Sequence, residues 1–259
     1  MNGLNIENTE SFIDFVNNGD KIYFTDLSMD CVIFSYEGKQ LRVLLVKFTT
    51  LNGWSLPGGY IRRDETLTKA ANRILKERTN LDNIFLRQFH VFGDSEFRLH
   101  NDKYASSFNI PKDNWLFQRR FTIGVYALID SSKVQIINDA YFDEYKWINI
   151  EEIPNDLLYD HNEVITVALK TIRNQIFQEP IGYELLPEKF TLPEIQTLYE
   201  TILGKKLNRR NFPTKLLLQE IIVKLDEKRN IGQHRSPYLY KFHKDNYQNA
   251  LNEKIVITL

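Results

Sequence analysis

The chain has 259 residues, 42% hydrophobic and 26% charged, the balance of an ordinary globular protein with room for one large core or two smaller ones. No stretch approaches the roughly 20 apolar residues that span a bilayer, the polar and acidic start lacks the basic and apolar regions of a secretory signal, and the lone Cys31 rules out an intrachain disulfide, so a cytoplasmic location and no membrane are the expectation. The net charge of −1 conceals an asymmetry, because from Thr191 onward twelve Lys and Arg face seven Asp and Glu, a net of +5, which leaves −6 on the remainder and suggests an acidic front and a basic tail with different tasks.

Two strands are expected first, over Lys21–Lys47. IYFTDLSMDCVIFSY is rich in β-branched and aromatic residues, Glu37-Gly38-Lys39 reads as a turn, and LRVLLVKF resumes the pattern. LNGWSLPGGYIRRDE follows as a glycine-rich loop. Over Leu67–Arg78 the period becomes helical, with Leu67, Ala70, Ala71, Ile74 and Leu75 on one face and Lys69, Arg73 and Glu77 on the other. Asp64 or Thr66 supplies the cap. Further strands are expected at Ile84–Phe92, Phe121–Ile129 and Glu144–Ile148, and the polar segment Asp94–Gln118 reads as an insertion at the edge of a site. Asp160 and Glu163 form a capping box for a helix through about Phe177. Gln178–Lys189, with two prolines and a glycine, reads as a linker.

In the last seventy residues Thr191 and Glu194 form another capping box, for a helix buried through Leu192, Ile195, Leu198, Tyr199 and Ile202 and ended by Gly204. A second helix begins near Asn208 or Asn211, and Pro213 fits its first turn in the latter case. Ile221–Leu225 and Tyr238–Phe242 pair as strands across a basic connection. Helix, turn, basic helix and basic hairpin is the winged helix-turn-helix plan. Arg209, Arg210, Asn211 and Lys215 would meet base edges or phosphates, and Lys228, Arg229, His234 and Arg235 would meet the backbone or minor groove from the wing.

The loop-helix from Leu56 to Leu81 resembles the Nudix box. Gly59, Glu65, Arg73, Leu75, Glu77 and Leu81 stand at its spacing, after Leu56-Pro57-Gly58. The box works through carboxylates that converge from one helical turn on divalent metal. Those positions here are Ile74, Glu77 and Arg78, of which only Glu77 is acidic. Together with Asp160-His161, Glu179-Pro180-Ile181-Gly182, Arg210-Asn211-Phe212 and Leu239-Tyr240-Lys241-Phe242, the box makes the chain similar to the Nudix-related transcriptional regulators, NrtR-like and AraR-like.

That resemblance implies an α+β chain, with a Nudix-fold α/β/α sandwich and mixed sheet over residues 1–177, a linker over 178–190 and a winged helix-turn-helix domain over 191–259. It implies a homodimer on a palindromic duplex operator, regulated by a small effector; with Glu77 the one carboxylate left at the metal positions of the box, no metal or cofactor is expected. The remnant from Arg73 to Thr79 is closer to the sugar-responsive AraR-like branch, so a sugar, or else an ADP-ribose-like molecule, is the expected effector. Lys47, Trp54, Glu65, Arg73, Glu77 and Tyr126 lie where a Nudix cleft would be, with Trp54 as an aromatic platform. The competing reading is an active hydrolase of a nucleoside diphosphate derivative such as ADP-ribose, using carboxylates from Glu65, Asp94 and Glu96. Two departures from the family are Pro213, where a further basic residue is common, and the long Asp94–Gln118 segment.

Overall fold

The structure, a computed structural model, describes residues 6–48, 50–80, 86–99, 104–134, 142–176, 182–230 and 236–247. Contacts divide the chain into two compact units, one of Met1–Phe34, Arg42–Ala127 and Ser132–Ala168, the other of Ser35–Leu41, Leu128–Ser131 and Leu169–Leu259. Among the described residues no helix is long and apolar enough to cross a membrane.

The first unit is built on a seven-stranded sheet. β1 (Tyr23–Glu37) and β2 (Gln40–Phe48) are the expected pair, and β6 (Phe121–Ile129) matches its expected bounds. β5 (Leu86–Phe92) and β7 (Phe142–Asn149) differ from expectation only at their ends, and residues 84–85 lie outside the described ones. The order is β3 (Gly53–Ser55), β2, β1, β6, β5, with β4 (Gly58–Arg62) on β1 and β7 on β2. The glycine-rich stretch is not one loop: it forms β3 and β4. Gly58 permits this, because a Cβ there would lie 2.7 Å from the Met29 carbonyl oxygen and 2.9 Å from the Asp30 carboxylate.

Helix α2 (Leu67–Thr79) packs on β4. Thr66, rather than Asp64, caps it by accepting the Lys69 N–H, and Asn80 ends it at φ 56, a left-handed conformation that asparagine tolerates well. Ala70, Ala71, Ile74 and Leu75 form its buried stripe.

Two parts of this unit were not expected. The polar N-terminus forms α1 (Ile6–Ile22), held where the Trp115 indole N–H and the Asn114 amide both donate to the Val16 carbonyl. The Asp94–Gln118 segment is not a plain loop either. It forms the short helices α3 (Glu96–Leu99) and α4 (Ala105–Phe108) and a 3-10 turn at Trp115–Phe117.

The boundary between the units falls inside α5 (His161–Gln175). In the second unit Arg173 donates to the Ile202 carbonyl and Thr201 to the Lys39 carbonyl, so the tip of the β1–β2 hairpin belongs to this body. Residues 182–186 form a turn, and Phe190 pairs with Tyr240, so this part of the expected linker packs within the unit; residues 178–181 lie outside the described ones. Helix α6 (Leu192–Leu203) carries the expected Thr191–Glu194 capping box and ends at Gly204, φ 67. Helix α7 (Asn211–Leu218) places Pro213 in its first turn. Strands β8 (Ile222–Lys228) and β9 (Tyr238–Phe242) pair antiparallel. Ile195, Leu198, Tyr199, Ile202, Phe212 and Leu216 are buried, with the Tyr199 and Phe212 rings 4.8 Å apart.

Candidate functional site

The box folds around one arginine. Arg73 Nε donates to Glu65 Oε2 at 3.0 Å, Nη2 donates to Glu65 Oε1 at 2.5 Å and to the Tyr60 carbonyl at 2.8 Å, and Nη1 donates to Glu77 at 3.2 Å. Glu65 also accepts the Arg62 N–H at 2.8 Å. Burial pushes the Glu65 carboxyl up, but the bonds from Arg73 and the Arg62 backbone outweigh it and leave the group below its ordinary range. Arg73 therefore cross-links its helix to Tyr60 of β4 and to Glu65 of the loop that follows, and a bidentate arginine–carboxylate pair is the strong form of that bond.

Divalent metal fits this arrangement poorly. Ile74 is 1% exposed and packs where a Cβ on Gly59 would sit 3.2 Å away. Glu77 is paired with Arg73. The Arg78 charge opposes the burial and the nearby Asp30 that together push the Cys31 thiol up to about 12. Among the described residues no group of three or more His, Cys, Asp or Glu is placed to hold an ion. Of the alternative carboxylates, Glu65 is tied to Arg73, while Asp94 and Glu96 are exposed.

The remaining expected cleft residues separate. Lys47 and Trp54 face each other across β2 and β3, both half-buried, and Lys47 is paired with Glu144 at 2.7 Å. Tyr126 is a correction: at 2% exposure it is among the largest fully buried side chains, 6.2 Å from the Phe89 ring, so it is core rather than lining.

A buried charge cluster among the described residues of this unit was not foreseen. Arg98, 4% exposed, arrives from α3. Its Nε and Nη2 donate to the two oxygens of Asp160 at 2.7 and 2.5 Å, Nη2 also to Asp30 at 3.1 Å, and Nη1 to Thr122 at 2.5 Å. Ser95 donates to Asp160 as well. The expected cap is thus corrected: Arg98 and Ser95 engage the Asp160 carboxylate, and only its backbone carbonyl accepts from Glu163 and Val164. His161 Nδ1 accepts the Leu56 N–H at 2.8 Å, which leaves its Nε2 proton for Asp30, 3.5 Å away. Burial pushes the Asp30 carboxyl up, but His161 and Arg98 outweigh it and hold the group at about 2. The cluster ties the box loop, the 94–118 segment and the head of α5 together. Asp160-His161 was visible as a family-like pair, but nothing in the sequence pointed to Arg98 as their partner.

Beside the cluster sits an aromatic group. Tyr159, at φ 61, lies 5.3 Å from the rings of both Phe97 and Tyr104 and 6.2 Å from Phe48.

In the second unit the cations are differently placed. Asn208 Oδ1 accepts the N–H groups of Arg210 and Asn211, each at 3.0 Å, and so starts α7. Arg209, Arg210 and Asn211 are exposed, and Lys215 is half-buried. The turn before them is pinned by Glu200, which accepts the Leu207 N–H at 3.0 Å, the Gln196 amide at 2.8 Å and Lys206 at 2.9 Å. The Leu207 bond first, and then Gln196, hold the Glu200 carboxyl down at about 2. On the wing Lys228 is exposed. Arg229 is engaged within its own domain: its guanidinium donates to Glu194 and, at 3.0 Å, to the Lys189 carbonyl, while its side chain stays 36% exposed. His234 and Arg235 lie outside the described residues.

Comparison with known proteins joins these two halves. A model of the NUDIX domain matches residues 25–168, and a model of the NrtR DNA-binding winged helix domain matches residues 182–242. The chain belongs to the NrtR-like family, a Nudix domain followed by an NrtR winged helix. It is 26% identical over 227 residues to the ADPR responsive transcriptional repressor NtrR of Acinetobacter baylyi, across 85% of this chain and 83% of that protein. It is similar to the crystal structure of Shewanella oneidensis NrtR complexed with a 27mer DNA, with TM-score 0.66 and 26% identity, over 86% of this chain and 95% of that one. It is also 30% identical over 156 residues to the RNA pyrophosphohydrolase of Bartonella clarridgeiae, across 55% of this chain and 87% of that protein. A Nudix fold and a winged helix thus stand on this one chain.

Proposed function

We propose that this chain is a transcriptional repressor that grips duplex DNA through its winged helix and senses an ADP-ribose-type nucleotide in its Nudix domain. The observation that carries this reading is the coexistence, on one chain, of a match to a DNA-binding winged helix and a box whose metal-facing positions are Ile74 and Arg78. The sugar expectation is withdrawn. The full-length relative is named for its response to ADPR, and that favours a nucleotide over a pentose. Arg209, Arg210, Asn211 and Lys215 are proposed as the DNA-facing set of α7, with Lys228 on the wing. Lys47 and Trp54 remain the proposed effector-facing pair on the sheet, while Glu65, Arg73 and Glu77 keep the box in shape.

A homodimer on a palindrome is part of the same reading. Two recognition helices must meet half-sites set by the helical repeat, so an effector that alters their spacing alters affinity. A coupling of about 1–3 kcal/mol gives roughly 5–150-fold regulation. The test is a titration of labelled duplex from the promoter of the protein's own gene, with and without ADP-ribose, followed by chromatography of the nucleotide after incubation with Mg²⁺. The reading expects salt-sensitive DNA binding, a shift in affinity with ADP-ribose, and nucleotide recovered intact. Turnover abolished by Glu77→Gln, with no DNA binding at low salt, would favour the hydrolase instead.

A further inference from the structure

The wing carries a feature that the basic-cluster pattern alone did not show. In β8 and β9 the pairs Lys224↔Tyr240 and Lys228↔Tyr238 enclose a register shift. A regular antiparallel ladder continued from Lys224↔Tyr240 would set Asp226 opposite Tyr238. The bulge sets Lys228 there instead, and a bulge re-aims side chains in this way. The result is that two ammonium groups share one ring: Lys224 Nζ is 3.6 Å and Lys228 Nζ 4.7 Å from the Tyr238 centroid. Both lysines are exposed, and Tyr238 is 37% exposed.

Neither ammonium is neutralised by a carboxylate among the described residues. Glu227, the acidic neighbour, is engaged by Lys189 at 2.7 Å. Asp226 is exposed between the two lysines in sequence and is the one acidic group left on the strand beside them. Two like charges held at one ring repel each other, and an anion placed between them converts that repulsion into attraction. The tyrosine gathers both ammonium groups at one ring through contacts that are individually weak at an exposed site, which lowers the side-chain freedom lost when the anion arrives.

We propose that the Lys224–Tyr238–Lys228 stack is a phosphate-binding contact through which the wing holds the sugar–phosphate backbone of duplex DNA. The proposal rests on the DNA-binding reading above and adds to it Lys224 and Tyr238 beside Lys228. Because backbone contacts position a protein without reading sequence, the contribution is the same on an operator and on a scrambled duplex.

The experiment is a salt series of fluorescence anisotropy titrations with a labelled duplex, using the full chain. Each phosphate neutralised contributes a slope of about −0.9 in log K against log salt. The Lys224→Ala, Lys228→Ala double variant is expected to lose about 2 from that slope, and to lose affinity for operator and scrambled duplex alike. Tyr238→Phe keeps the wild-type slope, Tyr238→Leu reduces it, and Asp226→Asn tightens binding to both duplexes. An unchanged slope in the double variant overturns the proposal, provided Arg210→Ala weakens binding and thermal melting shows each variant folded. A wild-type chain that binds neither duplex at low salt overturns the DNA-binding reading itself, which is a distinct result.

Discussion

The box and the winged helix carry similar letters and use them in opposite ways. In the box, Arg73 is bound by two carboxylates and a carbonyl, and in the cluster beside it Arg98 is enclosed by two carboxylates and a hydroxyl. In the winged helix, Arg209, Arg210, Lys224 and Lys228 stay exposed, with no carboxylate partner among the described residues. Arg229, a few residues from the same basic surface, follows the first pattern, because Glu194 is within reach. What decides the role of a cation is the carboxylate that the fold brings to it, and the comparison can be broken at either end.

The largest effect should come from removing the centre of the buried cluster. Arg98→Ala leaves Asp30 and Asp160 facing each other without their shared cation, and breaking a buried ion pair from one side costs about 3–5 kcal/mol. Urea unfolding of the variant should show that loss, and a variant as stable as wild type would mean the cluster holds nothing. Acid makes a smaller version of the same cut. Asp30 is held at about 2 against 3.8, so its stabilisation is complete above about pH 5 and disappears as pH falls toward 2. The difference amounts to about 2 kcal/mol. Unfolding midpoints across that range should fall less steeply for Asp30→Asn than for wild type.

On the other side, Arg210→Ala should leave unfolding within about 0.5 kcal/mol of wild type, as exposed substitutions do. It should weaken operator binding by about 1–3 kcal/mol if the side chain reaches a base edge. The smallest effect belongs to Arg229→Ala. A partly exposed pair such as Arg229–Glu194 is worth about 0–1 kcal/mol, so melting shifts slightly and the salt slope of DNA binding stays put. A loss of slope there would return Arg229 to the DNA surface.

Local chemistry was easy to read from sequence. The stripe from Ala70 to Leu75 fixed α2, the Thr191–Glu194 box fixed α6, and Gly204 fixed where α6 stops. These signals act within a few residues, where helical periodicity and capping operate. Long-range chemistry was hidden. Arg98 meets partners 62 and 68 positions away in sequence, so nothing in its neighbourhood, EFRLH, announced a buried cation. Asp160 looked like a cap until that cation engaged its carboxylate. Helix α1 lacked a local signature because what holds it, Trp115, lies 99 residues beyond Val16. Tyr126 was misplaced because β6 is buried along most of both faces, which leaves no alternation to tell lining from core.

The front domain ties Arg73 and Arg98 into internal ion pairs, whereas the winged helix leaves Arg209, Arg210, Lys224 and Lys228 exposed. Anisotropy of a labelled palindromic duplex from the protein's own promoter, titrated with the full chain in the presence and absence of ADP-ribose, tests both halves at once. The account predicts binding that weakens steeply with salt and shifts roughly 5–150-fold when the nucleotide is added. A duplex left unbound at low salt, or bound with an affinity that ADP-ribose does not move, would contradict it.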